Sequence, residues 1–209
     1  MGGSTNLNFN GTCFTGDLSG ITTGTQPLWF QNFSLPGPEI RAQKSWEDKL
    51  EEIVLNAKSW NVGFICGLPA WIQILFERII KHYQVKTIHD VWPNLAMFVH
   101  GGVSILPYKN SINNLCGKPL VYMDTYMASE GFIAYQERPN EAQAMKLMTD
   151  NQIFFEFIPF SGQYFDSEGN MVAEPEAYMI HEIEEQKDYA ILISTNAGAW
   201  RYAIGDTIK

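Results

Sequence analysis

Tyr126-Met127-Ala128-Ser129-Glu130-Gly131 puts an aromatic face, a hydroxyl and a carboxylate close together in the chain. A tyrosine ring can stack on a flat group, and a lone carboxylate is a hard oxygen ligand. Mg²⁺ usually takes one or two such carboxylates and completes its shell with substrate phosphates. A second string, Trp200-Arg201-Tyr202-Ala203-Ile204-Gly205-Asp206, ends in a carboxylate that can accept from both hydroxyls of a ribose. In His100-Gly101-Gly102 the paired glycines would let backbone approach a flat ligand closely. Each string also has a plain structural reading. Ser-Glu-Gly after a strand commonly makes a turn or starts a helix, and Gly-Asp commonly closes a strand.

For these strings to act together, strands must carry them to a common edge. Val62–Cys66, Leu95–His100 and Leu120–Asp124 are short apolar runs. Between them, Trp71, Ile72, Leu75, Phe76 and Ile79 recur at helical spacing after Pro69, to about Tyr83, and a shorter helix falls around Lys109–Leu115. Strand, helix, strand, helix, strand predicts right-handed crossovers and a parallel sheet. Such sheets bind ligands beyond the carboxyl ends of their strands. Here those ends are Gly67-Leu68-Pro69, His100-Gly101-Gly102 and Tyr126–Gly131.

Ahead of the sheet, Ser45-Trp46-Glu47-Asp48 has the form of a capping box. It would open a helix whose apolar stripe is Trp46, Leu50, Ile53, Val54 and Ala57. Residues 1–38, with Asp17 as their one charge, read as irregular loop with room for one short strand. Beyond about Asn140 the pattern changes. Ile153–Phe157, Tyr178–Ile183, Tyr189–Thr195 and Trp200–Ile204 are strand-like, with acid- and Gly-rich turns such as Asp166-Ser167-Glu168-Gly169 between them. The expected organisation is an α/β part, residues 1–140, followed by an antiparallel meander or partial barrel, residues 141–209, within one domain.

At 209 residues, 45% hydrophobic and 18% charged, the chain is globular in composition. Fourteen basic against 23 acidic residues leave a net charge of −9, which repels a phosphate backbone, so no nucleic-acid partner is expected. Cys13, Cys66 and Cys116 are widely spaced and predict buried free thiols in a reducing compartment. His82, His89, His100 and His181 have no metal-ligand spacing. Ser59–Phe76 and Val91–Tyr108 are eighteen-residue stretches without a charge, but glycines and prolines break both, and a span wants about 20 predominantly apolar residues. The first basic residue is Arg41, so no charged leader is expected. The expected location is cytoplasmic, with no membrane partner. The Asn10-Gly11-Thr12 and Asn32-Phe33-Ser34 sequons carry no meaning there.

Tyr126-x-x-Ser129-Glu130, then Phe155-Glu156-Phe157-Ile158-Pro159, then Arg201-Tyr202-x-x-Gly205-Asp206, in this order, resemble the auxin-responsive-promoter family of acyl acid amido synthetases. That family lies within the firefly-luciferase-like adenylate-forming superfamily. Asp90-Val91-Trp92-Pro93-Asn94 and the Gly-x-Pro-x-Trp at Gly67–Trp71 resemble it as well, and the likeness runs from about Gly2 to Lys209. Ala128-Ser129-Glu130-Gly131-Phe132 and Trp200-Arg201-Tyr202 look closer to its bacterial branch than to the plant enzymes.

The resemblance implies part of the large N-terminal domain of an adenylate-forming enzyme. It implies ATP-dependent activation of a small carboxylic acid as acyl-adenylate, then transfer to an amine or amino acid. By the same resemblance Tyr126 lies against adenine, Ser129 near the α-phosphate, Glu130 on Mg²⁺ and Asp206 on the ribose, while Gly101 and Gly102 line the nucleotide or acyl pocket.

The chain departs from the family pattern in two places. Thr22-Thr23-Gly24-Thr25 is superficially like the family's phosphate loop, but Gln26-Pro27 follows where Gly and then Lys are expected. Lys209 follows closely on the ribose motif. The expectation is that the phosphate loop and the small C-terminal domain are missing, and that this chain is an inactive core of a longer synthetase. Two other readings stand beside this one. The first is a nucleotide- or acyl-acid-binding module without turnover. The second is a relative of the acyl–coenzyme A ligases, although those usually have Thr where Ser129 precedes Glu130. Trp71, Phe98, Phe132 and Tyr135 either line an apolar acyl pocket or belong to the core.

Overall fold

The computed structural model describes residues 8–16, 20–21, 26–42, 45–139 and 144–209. Thr22-Thr23-Gly24-Thr25 lies outside the described residues. The chain divides into two compact units that share it unevenly: Met1–Thr125 with Tyr135–Met145, and Tyr126–Ala134 with Lys146–Lys209.

The first unit opens with β1 (Asn8–Phe9) and β2 (Phe14–Thr15), paired antiparallel, and two short helices, α1 (Leu28–Gln31) and α2 (Pro38–Arg41). Asn10 makes the β1–β2 turn, its side-chain oxygen accepting from the amides of Thr12 and Cys13 at 3.1 and 2.8 Å. Helix α3 (Trp46–Asn56) starts where the sequence predicts, because the Ser45 hydroxyl accepts from the Asp48 amide at 3.1 Å.

Strand β3 (Phe64–Cys66), helix α4 (Pro69–Tyr83), strand β4 (Met97–Gly101), helix α5 (Leu106–Asn114) and strand β5 (Val121–Ala128) follow. The three strands are parallel, with Phe64 opposite Met97 and Met97 opposite Val121. Helix α5 begins ahead of its predicted start, with Pro107 in its first turn, where a missing amide costs nothing.

The unit's core is the meeting of two helix stripes with the sheet. Leu50, Ile53 and Val54 of α3 and Ile72, Leu75, Phe76 and Ile79 of α4 pack with Trp92 and Phe98. Fully burying one such side chain stabilises by about 1.5–3 kcal/mol relative to leaving it exposed. Phe98 is therefore core, whereas Trp71 is part-exposed and meets Trp46 edge to face at 4.6 Å between centroids.

The Asp90–Asn94 string is structural. Asp90 accepts from the amides of Thr87 and Lys86 at 2.8 and 3.1 Å, and these bonds, the Thr87 amide first, hold its carboxyl below the usual range. The buried indole of Trp92 donates to the Ala57 carbonyl at 2.8 Å. His89 uses both ring nitrogens inside the fold. Nδ1 accepts from the Gly117 amide at 3.0 Å, so Nε2 carries the proton and donates to the Leu95 carbonyl at 2.9 Å.

All three cysteines are free, but Cys13 and Cys66 are exposed and Cys116 is half-buried, which corrects the expectation of buried thiols. Cys66 is the last residue of the three-residue strand β3. No helix among the described residues is long and apolar enough to cross a membrane.

In the second unit the end of β5 leads into β6 (Gly131–Tyr135), and β7 (Lys146–Leu147) follows. Strands β8 (Ile153–Pro159), β9 (Tyr189–Thr195) and β10 (Tyr202–Ile208) form an antiparallel sheet with β9 in the middle. Phe155, Phe157, Ile191 and Ile193 of this sheet bury one face against Ile133 and Ala134 of β6.

Tyr178–Ile183 is not a strand. It contributes one bridge, Phe157 to Tyr178, and then turns, with the Glu182 carboxylate accepting from the Met179 amide at 2.7 Å. Met179 and Ile180 are exposed, so the apolar run has no sheet to enter.

Candidate functional site

Strand β5 runs four residues past the predicted Asp124, so Tyr126 stands on a strand, with its ring packed on the second unit's core. Ser129 and Glu130 form the turn from β5 into β6, and no helix starts there. A Cβ on Gly131 would lie 2.5 Å from Ile153 Cδ1, the end of a side chain that would have to turn aside. Ser129 is exposed and Glu130 half-buried.

Asp206 lies within β10 and does not end it. Tyr202 and Ala203 pair with Ile193 and Leu192, whereas Thr207 and Ile208 pair with Ala190 and Tyr189. That register shift leaves Ile204, Gly205 and Asp206 as a bulge, and Gly205 takes the φ of +91° that the bulge needs. Bulges re-aim side chains, and this one presents Asp206 to Tyr126, whose hydroxyl donates to Asp206 Oδ2.

Burial of the ring, then the bond to Asp206 and its charge, then the charge of Glu130, raise the Tyr126 ionisation far above the ordinary phenol value. At neutral pH the Tyr126 hydroxyl is therefore a fixed donor to Asp206 Oδ2.

Among the described residues no three His, Cys, Asp or Glu side chains group to hold a metal. The donor set fits Mg²⁺ only in its sparse mode, with Glu130 as the protein ligand and the rest of the shell supplied by substrate phosphates and water.

Gly101 and Gly102 belong to the first unit, and within it each has its own reason to be glycine. A Cβ on Gly101 would lie 2.4 Å from the Thr125 carbonyl oxygen, so β4 and β5 close on each other there. Gly102 leaves the strand with φ at +78°. His100, next to them, is buried, and its Nδ1 lies 3.2 Å from Asp124 Oδ1 on the neighbouring strand. Thr125 Oγ1 donates to the His100 carbonyl at 2.8 Å.

Reading the sequence as separate strings missed two relationships. One is the Tyr126–Asp206 bond. The other joins Glu156 to Arg201, whose Nε donates to Glu156 Oε2 at 3.2 Å. The signal for the second was present, since both residues stand in the quoted motifs, but strand register alone tells which motif residues meet.

The sites of interest in the second unit thus sit on β5, β6, β8 and β10, and the last two lie within a recognisable stretch. Residues 146–209 match the family model described as the GH3 family central domain. The chain is 30% identical over 131 residues to jasmonoyl–L-amino acid synthetase GH3.5 of Oryza sativa subsp. japonica, covering 58% of this chain and 22% of that protein. It is 32% identical over 106 residues to a probable indole-3-acetic acid-amido synthetase, GH3.6, of the same organism, covering 49% of this chain and 21% of that protein. The alignments thus span about a fifth of the length of these curated GH3 relatives.

Among solved structures, GH3.15 acyl acid amido synthetase superposes with a TM-score of 0.63 at 10% identity, covering 91% of this chain and 40% of that one. A structure of AtGH3.15 acyl acid amido synthetase in complex with 2,4-DB gives 0.56 at 14% identity, covering 77% and 35%. At these identities the likeness is one of fold. It agrees with the expected α/β part followed by an antiparallel β part.

Proposed function

We propose that this chain carries part of the adenylating site of an acyl acid amido synthetase, with Tyr126, Ser129, Glu130 and Asp206 facing the nucleotide. The contact between the Tyr126 hydroxyl and the Asp206 carboxylate carries the reading, because it brings two motifs distant in sequence to one place on one core. The names of the GH3 relatives supply the substrate class, an apolar carboxylic acid and an amino acid.

On this reading Asp206 accepts from the ribose hydroxyls, the Tyr126 ring lies against adenine, and the Ser129 hydroxyl donates to an α-phosphate oxygen. Mg²⁺, held through Glu130, would neutralise charge on the phosphate oxygens. A carboxylate oxygen of the acid attacks the α-phosphorus, and the bond to pyrophosphate breaks. The amine of the acceptor then attacks the acyl carbon, AMP leaves, and the amine loses a proton.

The test is calorimetry with AMP and ATP on the full-length synthetase, together with acid-dependent exchange of labelled pyrophosphate into ATP by it across aromatic and aliphatic acids. Nucleotide binding with acid-dependent exchange is expected. A protein that binds neither nucleotide is not of this kind.

A further inference from the structure

The chain reaches the Asp206 bulge through an unusual residue. Arg201 immediately precedes β10 and has φ of +46°, a left-handed conformation that favours glycine and is uncommon for arginine. Its amide donates to the Ser194 hydroxyl at 2.9 Å, one position before the Tyr202–Ile193 pair that begins the β9–β10 ladder. Its guanidinium reaches Glu156 in the middle of β8. The two ends of this ion pair differ in exposure. The Glu156 side chain is 14% exposed and that of Arg201 55%.

Glu156, Leu192 and Ala203 occupy one row across β8, β9 and β10, and Ala203 is the last paired residue before the register shifts into the bulge. The strand entry therefore has three fixings: the Ser194 hydroxyl on the Arg201 amide, Glu156 on its guanidinium, and the first ladder pairs. The residue they steer, five positions on, is Asp206. An exposed ion pair on its own contributes little, so a carboxylate kept largely out of water in mid-strand to hold an arginine at a strained backbone position calls for a reason.

We propose that Glu156, acting through Arg201, is a positioning residue of the nucleotide site. It sets the entry of β10 so that the following bulge aims the Asp206 carboxylate at Tyr126 and the ribose. The proposal rests on the adenylating reading above and adds a pair that touches neither nucleotide nor acid.

The experiment, run in the full-length synthetase, compares AMP affinity, the KM values for ATP and for the acid, and Tm in the wild type, Glu156→Leu, Glu156→Gln, Arg201→Gly and the Leu/Gly double variant. Glycine keeps the left-handed backbone while removing the guanidinium, and glutamine keeps an acceptor within reach of Arg201. Expected are a roughly fivefold loss of AMP affinity in Glu156→Leu and Arg201→Gly, the equivalent of about 1 kcal/mol, and recovery of most of it in Glu156→Gln. KM for ATP should rise with KM for the acid unchanged, and the double variant should be no worse than either single one. If Glu156→Leu does not fold, Arg201→Gly and Glu156→Gln carry the comparison. Lower Tm with unchanged AMP affinity, or additive losses in the double variant, overturns the proposal while leaving the nucleotide reading intact. A wild type that binds no AMP overturns both.

Discussion

The hydroxyl of Tyr126, on the last turn-ward stretch of β5, is bonded to the carboxylate of Asp206 in the bulge of β10, eighty residues further along the chain. Each partner fixes a property of the other. Tyr126 stays protonated because its ring is buried and its hydroxyl donates to Asp206, and one oxygen of Asp206 is held by that bond. The two halves of the candidate site are thus ordered by protein contacts alone.

Replacing Asp206 with alanine should weaken AMP and ATP binding alike, because the ribose is common to both. Hydrogen bonds to a charged group contribute about 1.5–3 kcal/mol each, so at least a tenfold loss is expected by calorimetry. Equal affinities in variant and wild type would reduce Asp206 to a bulge residue.

Glu130→Gln is nearly isosteric in an accessible turn and should leave Tm unchanged. It should remove the Mg²⁺ dependence of acid-dependent pyrophosphate exchange along with most of the rate. A Mg²⁺ titration of exchange decides this, and a wild-type curve would take the metal away from Glu130.

The alkaline limb of stability should report on Tyr126. Its folded-state ionisation lies above the ordinary phenol value of 10, through burial first and Asp206 next. The folded chain then holds the proton when the unfolded chain has released it, so stability is complete below about pH 10 and declines as pH rises beyond it. Tyr126→Phe removes that contribution, and its Tm should fall less steeply than the wild type between about pH 10 and 11. Tyr122, pushed up to about 12 by burial and then by Cys116, should behave in the same way in the first unit. Parallel wild-type and variant curves would contradict the assignment.

Gly101→Ala and Gly102→Ala should differ in Tm. At Gly101 the obstacle is backbone, the Thr125 carbonyl at 2.4 Å, and relief requires parting two hydrogen-bonded strands. At Gly102 the nearest atom is the end of the Leu68 side chain at 3.0 Å, which can turn aside, leaving the cost of a positive φ. Overpacking a tight site costs typically 1–3 kcal/mol, so the Gly101 variant should melt lower in thermal scans.

The parallel half of the fold was legible in the sequence because each of its elements announces itself locally. Ser45 caps α3, Pro69 opens α4, and β3 and β4 are apolar runs that close at Gly67 and Gly101. The β half was less legible because its signals are relational. Tyr178–Ile183 has the composition of a strand, but a local bond from Met179 to Glu182 competes with the ladder and wins. β6 escaped notice because Ser129-Glu130-Gly131 serves equally for a helix start and for a tight turn. Of the candidate site, residue identities could be read from motif order. The bond between Tyr126 and Asp206 could not, since it depends on a bulge whose position follows from the register of β9 and β10.

The interleaving of the two units bears on how this protein can be divided in evolution or at the bench. Its family-matched stretch, residues 146–209, coincides with one segment of the second unit, but that unit's interior is completed by Ile133 and Ala134 from the hairpin upstream. Transplanted by itself, the stretch would leave Phe157 and Ile193 wetted where Ile133 now seals them. Recombination breakpoints placed at 145/146 should thus yield sticky, poorly expressed chimaeras. The smallest heritable cassette that keeps its interior dry begins upstream of Tyr126 and carries the residue 135–145 excursion with it.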